Sequence, residues 1–332
     1  MKMIKTTIGA VATTLALLNP AFAEYPEKDI LGVIMWGAGG GTDTVSRAVN
    51  EVAAEALGQP IVLSNKPGGG GAISTAFLDA SKPDGYTLLY GAENPQIHGV
   101  LGVSEIDYLD FYPIQIFGRG LAVISVPASS PYQTLQDLLD AISANPGTIK
   151  MGSTGASGLP STIAAIISQA TDFEITPVVY GGEGPGIEAM LRGNVDFVPS
   201  SIAGVAEGVA NGDLRTLAIF DTEQNKALPG VPAITDTLPE LSRFLPWGNF
   251  YGVYVRKDVP QDVIEKLTAA YSVAGQDPDF VELMEGRGNV MMNISGDEAV
   301  QFLTAWQQVT AWVLQDTGAA KVSPEALSIP RP

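Results

Sequence analysis

The segment Trp36-Gly37-Ala38-Gly39-Gly40-Gly41-Thr42-Asp43 follows an apolar run and opens a helical pattern. Glycines let the backbone turn tightly and let its amides approach a ligand closely. A helix that starts behind them offers unpaired N–H groups and the positive end of its dipole. Together these features hold an anion without any basic side chain. A tight strand-to-helix turn needs the same glycines, so this loop alone does not separate binding from simple chain reversal. Asp43 falls in the first helical turn and Arg47 lies four residues on, a spacing at which the two pair with each other. That pairing leaves Arg47 a poor candidate for touching a ligand.

Similar chemistry recurs further along. Gly152-Ser153-Thr154-Gly155-Ala156-Ser157-Gly158 again joins a strand pattern to a helical one, and adds hydroxyls that donate to carboxylate oxygens. Tyr180-Gly181-Gly182 and Ser200-Ser201 also follow strand patterns, as does Glu93-Asn94-Pro95-Gln96. All of these fall at the C-terminal ends of strands, where open α/β sheets bind ligands. The expected site is therefore Trp36, Gly39, Gly40, Gly41, Thr42, Asp43, Asn94, Ser153, Thr154, Ser157, Tyr180 and Ser200. Trp36 is read as a wall that shields the solute from water, with a core tryptophan as the alternative.

Other chemistries find no support in the sequence. The single histidine, His98, would have to serve every imidazole role, and is better read as a surface or packing residue. There is no Gly-x-Ser-x-Gly elbow and no His-Glu-x-x-His pair. Gly37-x-Gly39-x-x-Thr42 lacks the third glycine of a dinucleotide loop, and the run 67–71 lacks the Gly-Lys-Ser/Thr of a phosphate-binding P-loop. That run is read as a turn allowing close packing. Cysteine is absent, which excludes thiolate chemistry. No catalytic residue, metal or cofactor is expected. The formal charge of −18 makes nucleic acid and anionic lipid poor partners.

Strand patterns at 29–35, 61–64 and 87–90 alternate with helical ones at 42–57 and 73–80. Val45, Val49, Val52 and Ala56 share one face of the first helix, and Gly58 ends it. A second set has strands at 121–126, 149–153, 175–180, 195–200 and 214–220. Its helices fall at 134–144, 161–169, 186–192 and 202–210, and Thr134 with Asp137 caps the first of them. The tail adds a strand at 251–255 and helices at 261–274 and 298–314. This alternation predicts an α/β protein of two lobes, each a mainly parallel sheet flanked by helices. The crossovers between lobes are expected at 118–120 and 246–248. They divide the chain into a first lobe of 24–120 plus 246–332 and a second lobe of 121–245.

The N-terminus has the pattern of an export signal. Lys2 and Lys5 precede an apolar stretch, and Ala21-Phe22-Ala23 is a small-x-small cleavage site. Residues 1–23 are too short, and too interrupted by Pro20, to read as a membrane anchor. Their removal leaves 309 residues beginning at Glu24, and loss of two lysines takes the charge from −18 to −20. The expected location is the periplasm.

Several segments in order resemble one family. They are Gly39-Gly40-Gly41-Thr42-Asp43 with Arg47, Leu57-Gly58-Gln59-Pro60, Asn65-Lys66-Pro67-Gly68, Pro83-Asp84-Gly85-Tyr86-Thr87-Leu88-Leu89, Tyr180-Gly181-Gly182 and Gly212-Asp213-Leu214-Arg215. The chain resembles the extracytoplasmic solute receptors of tripartite tricarboxylate transporters, the Bug or TctC-like receptors. The resemblance implies a type II periplasmic binding fold that closes on its ligand like a flytrap. It implies that the loops 36–43 and 152–157 grip a carboxylate, mainly through backbone amides and bridging waters. It also implies one large and one small membrane partner. The receptor itself is expected to be a monomer. Relatives carry a proline and then an aromatic residue before the Gly loop, whereas this chain has Met35-Trp36. Lys66 stands where arginine is common. The ligand is expected to be a dicarboxylate, tricarboxylate, aromatic acid or acidic amino acid. The alternatives are a receptor that presents its ligand to a sensor kinase, and a periplasmic enzyme using cleft carboxylates.

Overall fold

The computed structural model describes residues 25–155, 158–180 and 183–332. The export signal at 1–23, Ser157 and Gly181-Gly182 lie outside the described residues. In chain order, β1 (Ile30–Ile34), α1 (Gly41–Leu57), β2 (Ile61–Asn65), α2 (Ala72–Asp79), β3 (Thr87–Gly91), α3 (His98–Leu101) and β4 (Phe111–Arg119) come first. Next are β5 (Ala122–Pro127), α4 (Leu135–Ala144), β6 (Lys150–Ser153), α5 (Leu159–Ile167), β7 (Thr176–Val179), α6 (Glu183–Leu191), β8 (Val198–Ser201), α7 (Ile202–Ala210) and β9 (Leu214–Ile219). The last group is β10 (Phe250–Arg256), α8 (Gln261–Gly275), α9 (Pro278–Gly286), β11 (Val290–Ile294) and α10 (Gly296–Asp316). No helix among the described residues is long and apolar enough to cross a membrane.

Two lobes result. The larger is a six-stranded sheet in the order β11-β4-β10-β3-β1-β2. The smaller combines β8-β5-β9 with the pair β6-β7, joined by a bridge between Met151 and Phe197. The sheets are mixed, which corrects the expectation of mainly parallel sheets. β1, β2 and β3 are parallel, as their intervening helices require, but β4, β10 and β11 run antiparallel to their neighbours. In the smaller lobe β5 is antiparallel to both β8 and β9. The strands that carry the chain out of one lobe and back have no helix returning them to the same edge, so nothing imposes a parallel direction.

Local rules explain the element ends. Val45, Val49 and Ala53 of α1 are buried beside α8, and burying each valine contributes roughly 1.5–3 kcal/mol. Gly58 closes that helix at φ 69°, a left-handed conformation suited to glycine. Thr134 and Asp137 form the expected reciprocal cap on α4, with the Asp137 N–H donating to Thr134 Oγ1 at 3.2 Å. His98 is a packing residue: it is buried, and its Nε2 is 3.0 Å from the Gly70 carbonyl. The 67–71 run is also structural, because a Cβ on Gly71 would strike Met35.

The chain leaves the large sheet after Arg119 and returns to it at Phe250. The two crossing segments touch, and the Gly120 N–H donates to the Asn249 carbonyl at 2.7 Å. Gly248 lies so near the Gly120 carbonyl that any Cβ there would collide with it. A buried ion pair, Arg119 to Asp221 at 2.8 Å, ties the outgoing segment to the small lobe. Trp247 stacks on Trp306 of α10, with ring centroids 5.8 Å apart. Trp306 also donates from its indole N–H to the Gly248 carbonyl at 2.9 Å.

Candidate functional site

Between the lobes is a cavity of about 840 Å³, within the size range of small-ligand sites. The large lobe contributes the loop from Trp36 to Thr42, then Glu93 and Asn94 after β3, and Asn249 and Tyr251 at the return crossing. The small lobe contributes Ser153 and Thr154, the start of α5, Tyr180, the start of α6 and the start of α7. Four helices, α1, α5, α6 and α7, thus present first-turn residues to one cavity. Each N-terminus carries partial positive charge, and their convergence favours an anion.

The α1 terminus is built for access. Gly40 is its N-cap and supplies no side-chain cap. Gly39 has φ 81°, which favours glycine. Gly41 faces the Tyr251 hydroxyl, which would be 3.1 Å from an added Cβ. Asp43 is not on the cavity wall. Its carboxylate accepts from the Gly39 N–H at 2.9 Å and the Asn65 amide at 2.8 Å, and pairs with Arg47 at 2.9 Å. Asn65 also donates to the Trp36 carbonyl at 2.8 Å. Burial pushes the Asp43 carboxyl up, but the hydrogen bonds from Arg47, Gly39 and Asn65 outweigh it and hold the group at about 2. Asp43 therefore braces the loop from behind.

The other termini differ in how they are filled. Gly158 caps α5 without a side-chain bond; Pro160 has no N–H and the Ser161 and Thr162 N–H groups donate to the Gly158 carbonyl, which leaves the Leu159 N–H at its start for the cavity. At α7 the carboxylate of Glu183 already accepts from the Ser201 N–H and, at 3.1 Å, from the Ser201 hydroxyl. Ser153 is buried, its hydroxyl 2.9 Å from that of Ser161 and accepting from the Gly155 N–H at 3.1 Å.

Of the expected residues, Trp36, Gly39, Gly40, Gly41, Thr42, Asn94, Ser153, Thr154 and Tyr180 line the cavity. Asp43 and Ser200 do not. Ser200 is fully buried opposite Val123 in the strand ladder, and its neighbour Ser201 is the wall residue. Successive strand side chains face opposite ways, so a one-residue choice decides the outcome. Ser157 lies outside the described residues.

Sequence reasoning missed Glu93, Glu183, Asn249, Tyr251 and Arg287, all on the wall. Arg287 corrects the picture of a site free of basic side chains; it follows α9, a helix the sequence reading did not identify. Glu93 was read only as part of the segment Glu93-Asn94-Pro95-Gln96 that follows a strand pattern. Burial, with a smaller push from the Glu183 charge, raises its carboxyl from 4.5 to about 7. Burial also raises Glu183, against the pull of its two Ser201 bonds. Burial likewise raises the Tyr251 hydroxyl, so it remains protonated at neutral pH.

Comparison with known proteins agrees with this geometry. Residues 45–318 match the model of the tripartite tricarboxylate transporter family receptor, TctC. BugT of Bordetella pertussis is 26% identical over 325 residues, covering 96% of this chain and 98% of its own. An R. palustris protein solved with adipate superposes with a TM-score of 0.81 at 20% identity, covering 90% of this chain and 99% of its own. MatC from Rhodopseudomonas palustris, solved with bound malate, gives 0.72 at 20% identity, covering 88% and 98%. These likenesses establish the two-lobed periplasmic binding fold, and the family match establishes a solute receptor. The chain belongs to the TctC family of tripartite tricarboxylate transporter receptors.

Proposed function

We propose that this receptor captures a small organic carboxylate between its lobes and delivers it to the large and small membrane subunits of a tripartite transporter. It acts as an exported monomer, freed of its signal after Ala23, and performs no chemistry on the solute. The observation that carries the reading is the convergence of four helix N-termini on one cavity of about 840 Å³. The amides of Gly40, Gly41 and Thr42 at the start of α1 and of Leu159 at the start of α5 receive the carboxylate. Arg287 adds a charge on the same wall. Buried oxygens need donors, and N–H groups held in place supply them. The adipate and malate of the two superposed structures are the same class of solute.

Closure follows from the two crossings. The parts 24–120 with 246–332 and 121–245 move against each other about 118–120 and 246–248, the narrow connection between the lobes. A thermal-shift screen of dicarboxylates, tricarboxylates, aromatic acids and acidic amino acids tests the reading. Neutral sugars and simple amines serve as controls. A ligand at 100 times its dissociation constant stabilises the fold by about 2.7 kcal/mol. Stabilisation by the controls and by none of the acids would sink it.

A further inference from the structure

Glu93 is out of place in a site for an anion. It lies on the cavity wall, is 9% exposed, and its Oε2 has no hydrogen-bond partner among the described residues. Leaving a buried carboxyl oxygen unmatched is costly, more so than for a neutral group. A second carboxylate, Glu183, lines the same cavity, but its oxygens are engaged by Ser201. Among the described residues no cation pairs with Glu93. Arg287 shares the wall, yet no ion pair joins it to Glu93 among the described residues.

We infer that Glu93 selects the solute by accepting a hydrogen bond from a ligand nitrogen, so that the ligand is a carboxylate that also bears an amino or amide N–H donor. This rests on the reading of the cavity as a carboxylate site and narrows it. The two ends of such a ligand meet opposite fields. Its carboxylate meets the N-termini of α1 and α5, and its nitrogen meets Glu93 on the β3 side. A plain diacid would set a further carboxylate against Glu93 and Glu183. A site with a polar group that only the correct ligand satisfies discriminates strongly against the analogue lacking the partner.

The test uses matched pairs: succinate and aspartate, glutarate and glutamate, benzoate and 4-aminobenzoate. Each is titrated calorimetrically into the wild-type protein and Glu93→Gln. For at least one pair, the nitrogen-bearing member should bind the wild type at least tenfold more tightly than its partner. Glu93→Gln should erase that preference, weakening the nitrogen-bearing member tenfold or more and strengthening the plain acid, which no longer meets an opposing carboxylate there.

A pH series on the wild type gives a second readout, independent of the variant's folding. For aspartate and glutamate, affinity should fall as pH drops from 8 to 6, because a protonated Glu93 loses its attraction for an ammonium. Of the other titratable groups, Glu183 from α6 acts on Glu93, Tyr108 and the β10 tyrosines Tyr251 and Tyr254 feel the Glu93 charge, and Arg287 after α9 shares the wall. Burial keeps the three tyrosines protonated throughout this range. If plain acids bind as tightly as their partners and Glu93→Gln changes neither, the inference fails while the carboxylate reading stands. If plain diacids bind better, and better still at low pH, Glu93 is a protonated donor and the inference is wrong. If no member of any pair binds, both readings fall.

Discussion

Glu93 links site chemistry to stability. Its carboxyl is raised from 4.5 to about 7, chiefly by burial. Below pH about 4.5 it is protonated in both folded and unfolded chains and costs nothing. Above pH about 7 it is charged in both, and the fold carries the full desolvation penalty, on the order of 3 kcal/mol. Stability should therefore fall between pH 5 and pH 8 by about that amount in the wild type relative to Glu93→Gln. Urea unfolding at the two pH values measures this, and parallel pH dependence in the two proteins would refute it. Trp36 makes a separate prediction. It is half-buried and on the wall, so Trp36→Ala should weaken binding about tenfold with only a small change in Tm. A large loss of Tm with unchanged affinity would make it a core residue instead. The Gly loops were legible because strand, glycines and helix are contiguous in sequence. Ser200 was misjudged by one position because strand register is set by Val123 on a partner strand. Glu93 and Glu183 carry no local signal; only tertiary burial distinguishes them from the other acids of a very acidic chain.

At the scale of elements, the α1 N-terminus depends on its brace. Asp43 ties together Gly39, Arg47 and Asn65, and Asn65 reaches the Trp36 carbonyl. Asp43→Ala should destabilise the protein by about 1–3 kcal/mol, the cost of stranding those partners. It should also speed hydrogen exchange at residues 39–42. Because its carboxyl is held down at about 2, the stability it provides is present above pH about 4 and lost as pH falls through 2. Acid unfolding of the wild type and Asp43→Ala should converge in that range; a constant gap between them would deny the brace its charge. The Asp43–Arg47 pair was readable from its i, i+4 spacing. β4, α9 and β11 were not read at all. β4 contains Pro113 and Gln115 among its apolar residues and so breaks the expected pattern, yet it pairs with both β10 and β11. Missing α9 meant missing Arg287, which follows it.

For the whole molecule, the proposed closure turns on the two crossings. The sequence suggested a crossing at 118–120 and another at 246–248, but gave no sign that Gly120 and Asn249 bond to each other or that α10 supports them. Arg119 and Asp221 form a buried pair beside the first crossing, away from the cavity wall. Arg119→Ala should therefore cost about 3–5 kcal/mol of stability by stranding Asp221. Its effect on affinity should be smaller than its effect on folding. Closure itself should appear in solution scattering as a smaller radius of gyration at saturating ligand. An unchanged radius would indicate a rigid pocket.

Anion capture by convergent helix termini is tested most directly by removing the ligand's charge and nothing else. The acid giving the largest thermal shift, and its methyl ester, are titrated calorimetrically into the same protein at the same salt concentration. The ester keeps the skeleton and the carbonyl but cannot accept charge-assisted bonds from the amides of α1 and α5. Its affinity should fall by about a hundredfold, in line with the loss of hydrogen bonds to a charged group, each worth roughly 1.5–3 kcal/mol. Equal affinity for acid and ester would contradict capture of a carboxylate at these termini.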